Sequence, residues 1–119
     1  MEFLVTSDRT HISDFTVYFT VQGCPDEYSI TNSNIEPIVN QQFDFTAFNG
    51  TFYASGVFNS STDASGIVGV NDFNIPGCGL VTGESPWAAT WQGAIVDLGK
   101  LWLGMNHEEK RVDMKFFLR

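Results

Sequence analysis

The sequence predicts an all-β protein, an antiparallel β-sandwich of Greek-key or jelly-roll type, with a small up-and-down β-barrel as the alternative. Three observations lead there. Residues 42–60 read as a β-hairpin turning on Asn49-Gly50, where both loop residues must take positive φ. Residues 12–21 alternate, with Phe15, Val17, Phe19 and Val21 set against Asp14, Thr16, Tyr18 and Thr20. Turn residues then recur every 8 to 12 positions in a chain rich in Phe, Gly, Ser, Thr and Asn, a composition that suits strands rather than a helical bundle.

Residues 2–6 make a short first strand, closed by the polar Ser7-Asp8-Arg9-Thr10, and the alternating strand 12–21 ends in the turn Gly23-Cys24-Pro25-Asp26. Residues 28–31 and 35–39 are weaker strands, and Pro37 puts the second at an edge because proline has no N–H to give a ladder. The hairpin fixes its own register. With Asn49 and Gly50 in the loop, Phe43, Phe45, Ala47, Phe52, Ala54 and Phe58 share one face. Asp44, Thr46, Thr51, Tyr53 and Ser55 share the other with the apolar Phe48 and Val57, and a one-residue slip would exchange the two sets. Residues 60–66, SSTDASG, read as a turn-rich loop, 67–70 and 73–75 as two short strands, and Pro76-Gly77-Cys78-Gly79 as a turn. In 87–92, Trp87, Ala89 and Trp91 alternate with Ala88, Thr90 and Gln92.

The chain of 119 residues is read as one domain, 1–119, with a compositionally distinct C-terminal segment, 94–119. Within that segment Ile95, Leu98, Trp102 and Met105 fall at helical spacing, but Gly99 and Gly104 together would cost a helix about 2 kcal/mol, which favours strand. Residues 106–110 are expected to turn into a last strand, where Val112, Met114, Phe116 and Leu118 alternate.

The net charge of −8 argues against nucleic-acid and anionic-membrane partners, since the basic footprint that would neutralise phosphates is missing. The charge is unevenly placed: residues 1–99 hold Arg9 against eleven acids, whereas 100–119 hold five basic residues against three acids. A basic strand on an acidic body suggests self-association or strand addition through the C-terminal segment. No apolar run reaches the roughly 18 residues that span a bilayer, so membrane insertion is not expected. Met1-Glu2-Phe3 opens a strand-like stretch, which places any secretion signal outside this sequence. Cys24 and Cys78, each beside turn residues, are too few for a disulfide framework and lack zinc spacing. One bridge is expected, with two buried free thiols as the alternative.

The sequence shows no catalytic or metal-ligating constellation and implies no cofactor. His11 and His107 are placed in separate polar turns, and no Gly-x-Ser-x-Gly elbow accompanies them. The loop acids Asp26, Glu27, Asp63 and Asp72 lack the spacing of a calcium loop and read as solvated charges. Trp87, Trp91, Tyr53 and Tyr18 are the residues that would bind a ligand, stacking on sugar rings if exposed on one sheet face.

From Phe52 onward the chain resembles a pattern of bacterial secreted β-domains of unknown function. Phe52, Ser55-Gly56 and Phe58 stand where those domains carry an aromatic-Ser-Gly-aromatic hairpin arm. Ala64-Ser65-Gly66 is similar to their turn, Cys78-Gly79 to their Cys-Gly turn, and residues 87–91 to their final Trp-rich strand. The likeness extends from about Phe3 to Trp91, with residues 14–24 as an earlier strand ending in a cysteine, and it stops after Gln92. It implies a secreted or cell-surface β-sandwich with a Cys24–Cys78 bridge, and it carries no catalytic residues. Trp87 and Trp91 also resemble the last strands of avidin-like barrels. The function expected is that of a non-catalytic extracellular structural or adhesive module. The alternatives are a carbohydrate- or small-ligand-binding module using exposed aromatics and, last, a small barrel enzyme.

Overall fold

The computed structural model describes residues 1–6, 8–60, 62–95, 100–104 and 115–118, with side chains described as far as residue 90. Ten strands run in chain order: β1 (Glu2–Thr6), β2 (His11–Val21), β3 (Glu27–Asn32), β4 (Glu36–Pro37), β5 (Gln42–Ala47), β6 (Phe52–Phe58), β7 (Asp63–Ile75), β8 (Gly79–Ile95), β9 (Lys100–Gly104) and β10 (Lys115–Leu118). The described residues contain no helix.

Two antiparallel layers pack together as a sandwich. In one, β5, β6, β7 and β8 are hydrogen-bonded neighbours in sequence order. In the other, β2 lies between β1 and β3, with β4 beside its first residues. The strand β9 links them, pairing β8 on one side and β1 on the other. β10 pairs in parallel with the end of β2 and antiparallel with the start of β8. Among the described strands β5 ends the path, and the strands do not form a closed barrel.

The hairpin register follows from the turn. Asn49 and Gly50 both take positive φ, Thr51 N–H donates to the Phe48 carbonyl, and Ala47 faces Phe52, Phe45 faces Ala54 and Phe43 faces Gly56. Phe43, Phe45, Phe52 and Ala54 are buried, while Asp44 and Thr46 are exposed. From the facing layer, Phe3 and Phe15 close over them. Phe15 meets Phe45 at 5.3 Å and Phe3 meets Trp87 at 5.6 Å between ring centroids, within the range in which aromatic pairs add to area burial.

Five elements differ from the sequence reading, the first being the strand read over 87–92, which begins at Gly79 and runs to Ile95. Ala64, Ser65 and Gly66 are not a turn but the start of β7, paired with Phe58, Val57 and Gly56; the reversal is completed earlier, where Asn59 N–H donates to Asp63 O. Residues 67–70 and 73–75 are one strand, kinked by a bulge between Val70 and Phe73 where Asp72 takes φ 50°. Of residues 35–39 only Glu36–Pro37 forms a strand, because Asn40 and Gln41 both take positive φ and fold Val39 back into an isolated bridge with Gln42. His11 opens β2 and does not lie in a turn.

The strand preference for the C-terminal segment is met where the backbone is described, in β9 and in β10, which lies within the chain's own sheet. The expected connection 106–110, and with it His107, lies outside the described residues, as do positions 112–114 of the last strand.

Cys24, in the turn after β2, is bridged to Cys78, in the turn between β7 and β8, with 5.8 Å between their Cα atoms. The bond clamps one layer to the other and belongs to a protein of an oxidising, non-cytoplasmic compartment. Among the described residues no helix is long and apolar enough to cross a membrane.

Candidate functional site

Strand alternation turns every second residue of the β5–β8 layer outward, and registry lines these residues up in rows. One row runs Gln42, Val57, Ser65, Ala88; the next Asp44, Ser55, Ile67, Pro86; the third Thr46, Tyr53, Gly69, Glu84. Val57 and Ile67 are 41% and 39% exposed, unusual for β-branched residues central to a sheet.

The third row holds a fixed aromatic ring. The Tyr53 hydroxyl donates to Glu84 Oε2 at 2.6 Å, two strands away. Strands lie about 4.8 Å apart, so the side chain must lie across the sheet rather than stand off it. Gly69 makes this fit: a Cβ there would meet the Tyr53 hydroxyl and sit 2.6 Å from Cζ. The tip of the phenol ring therefore lies over the glycine. Burial, then the Glu84 carboxylate, push the Tyr53 phenol up to about 12.

Beside this ring, the outer face of β5 and β6 opens into a groove of about 440 Å³. Pro37, Val39 and Val57 form its apolar lip, and Gln42, Asp44 and Ser55 supply its polar side chains. Val39, folded back by the Asn40-Gln41 turn, is 62% exposed at the rim.

The stacking residues read from the sequence are not gathered on one surface. Tyr53 lies on the outer face of the β5–β8 layer. Tyr18 lies on the opposite outer face, where its hydroxyl donates to Glu2 Oε1 at 2.8 Å; that bond, with burial, raises its pKa. Trp87 is 4% exposed and faces the core, so it is not a stacking surface for a ligand. Its pairing with Gly66 turns it inward, and its indole N–H is shared between the carbonyls of Ile67 at 3.0 Å and Ser55 at 3.2 Å. The Trp91 side chain lies outside the described residues. Glu84, Gly69 and the Val39 rim were not legible in the sequence, because finding them requires the β6–β7 register and the Asn40-Gln41 reversal.

The described histidine is poorly arranged for nucleophilic catalysis. Thr10 Oγ1 is 2.7 Å from Asp8 Oδ1 and 2.8 Å from His11 Nδ1. Hydrogen bonds from the Thr6 hydroxyl, then from the Thr10 hydroxyl and N–H, hold the Asp8 carboxyl down to about 2, so at neutral pH it only accepts. The Thr10 proton therefore goes to Asp8, and Nδ1–H of His11 donates to Thr10, the reverse of a base activating a hydroxyl. Among the described residues no group of three or more His, Cys, Asp or Glu converges to hold a metal ion.

The two hydrogen-bonded tyrosines have a measurable consequence. Neutral phenol is favoured in the folded state, so this contribution to stability is complete below pH 10, the ordinary tyrosine value, and is lost as pH rises above it, for Tyr53 as pH approaches about 12. Phenolate absorbance at 295 nm should show Tyr18 and Tyr53 titrating late in the folded protein, and Tyr53→Phe should remove one late step. Ordinary titration of Tyr18 and Tyr53 would contradict these bonds.

Compared with protein-family models, curated proteins and solved structures, the chain matches none.

Proposed function

We propose that this is a non-catalytic, extracellular structural or adhesive β-module that works by surface contact through the outer face of its β5–β8 layer. One observation carries the reading: Val39 and Val57 stay exposed along a groove on that layer, and Ile67, paired with the groove residue Ser55, is exposed beside it. Exposed apolar side chains gathered on one face mark contact surfaces. The interlayer disulfide supports secretion, as does the resemblance of residues 3–91 to bacterial secreted domains.

Beads carrying the protein should adhere to intact bacterial cells under flow, and Ile67→Glu should release them without changing the fold by circular dichroism. Equal retention of wild-type and variant beads would overturn the assignment of the face.

Self-association is a second reading, favoured by the basic C-terminal segment and by the edge position of β5 among the described strands. Sedimentation over a wide concentration range should then give a mass that rises above 13.2 kDa and stays at the monomer value when residues 106–119 are deleted. A monomer at every concentration would remove this reading.

A further inference from the structure

We propose that the outer face of the β5–β6 hairpin is a binding subsite for an uncharged saccharide, with Tyr53 as the platform for a pyranose ring. This rests on the adhesive reading of the same face and names the ligand class it would take.

The argument starts from what the face offers. Tyr53 is held across the sheet, its phenol tip over Gly69 and its hydroxyl bonded to Glu84, so a ligand stacking on it immobilises no further rotor. A sugar ring presents an apolar face of C–H bonds of about the size of a phenol ring, and hydroxyls at its edge. The groups around Tyr53 suit those hydroxyls. Thr46 stands directly opposite on β5, Glu84 keeps acceptor lone pairs beyond the one that takes the phenol proton, and Asp44, Ser55 and Gln42 continue along the groove. Ile67, diagonal to Tyr53 on the next strand, extends the apolar platform.

The same groups narrow the ligand. The groove residues include no cation, and Asp44 and Glu84 would repel phosphate, sulfate or uronate groups. An anionic glycan is therefore disfavoured, whereas a neutral one satisfies acceptors and donors without leaving a charge unpaired. A cationic peptide would also suit two carboxylates and an aromatic ring, but its attraction would be screened by salt. Salt dependence separates the two.

The test uses the full chain on an array of neutral oligosaccharides and on insoluble cellulose, chitin and β-glucan, at low salt and at high salt. The wild type should bind at least one neutral glycan with little salt dependence. Tyr53→Ala should weaken that binding about tenfold or more, in line with a lost aromatic contact, with unchanged circular dichroism. Tyr53→Phe should retain most of it, since the ring is the platform. No binding to any neutral glycan, equal binding by Tyr53→Ala, or binding abolished by salt would each overturn the proposal. If beads adhere to cells but free neutral glycans do not compete, the saccharide assignment fails while the adhesive reading stands. If beads do not adhere at all, the adhesive reading fails with it.

Discussion

Replacing Trp87 by alanine should cost the fold about 3–5 kcal/mol, the range for removing a buried large aromatic, read as a drop in the denaturant midpoint at unchanged slope. The cost comes from how the ring is seated. Across the inner face of the β5–β8 layer, pairing sets Trp87 beside Gly66, Gly66 beside Gly56, and Gly56 beside Phe43. Two large rings thus flank two residues without side chains. The Trp87 ring extends over the vacated space until it stacks on Phe43, with centroids 5.8 Å apart and planes 22° from parallel. A Cβ on Gly56 would sit 2.5 Å from Trp87 Cζ2 and 2.6 Å from the Phe43 ring. Truncation at position 87 therefore opens a cavity next to Phe3, Phe15 and Phe43 and also leaves the Ser55 and Ile67 carbonyls without the indole N–H.

The same geometry predicts coupling. Gly56→Ala should destabilise the wild type, because the new methyl has no room. In a Trp87→Ala background it should cost less, because part of the vacated volume lies where that methyl would go. Simple addition of the two costs would show that the ring does not occupy the space over Gly56.

This row also shows what the sequence could and could not reveal. The β5–β6 register was legible because Asn49-Gly50 fixes a two-residue loop, and alternation then assigns every side chain to a face. The next pairing was not legible. Ala64-Ser65-Gly66 carries turn-type residues, yet Gly66 is in a strand because only glycine fits there: a Cβ would overlap the Ser55 carbonyl and lie 2.7 Å from Gly56 Cα. A glycine required by close approach of two strands looks the same in sequence as one required by a turn. The consequence reached the candidate site. Without the β6–β7 register, Trp87 could not be placed on the inner face, nor Gly69 beneath Tyr53, nor Glu84 at the end of that row. Tyr53 itself was placed correctly on the outer face, because it belongs to the hairpin whose register was known.

Removing the Cys24–Cys78 bridge should be comparably costly, about 4 kcal/mol in the chain-entropy model for a loop set by a separation of 54 residues. Most of that effect is expected in the unfolded state. The bridge joins the end of β2 in one layer to the β7–β8 turn in the other, so the unfolded oxidised chain keeps a closed loop that contains β3 to β7. A Cys24→Ala/Cys78→Ala double variant should therefore show a lower denaturation midpoint and also a steeper slope, because its unfolded ensemble exposes more surface. The native layers have other ties. β9 pairs with both β8 and β1, β10 reaches β2 and β8, and the Phe15 ring contacts rings of the opposite layer. The variant should thus fold to the same strand content by circular dichroism under native conditions. An unchanged slope with the full loss of stability would place the effect in the folded state instead, as would loss of the outer-face hydrogen bond seen as an early-titrating Tyr53.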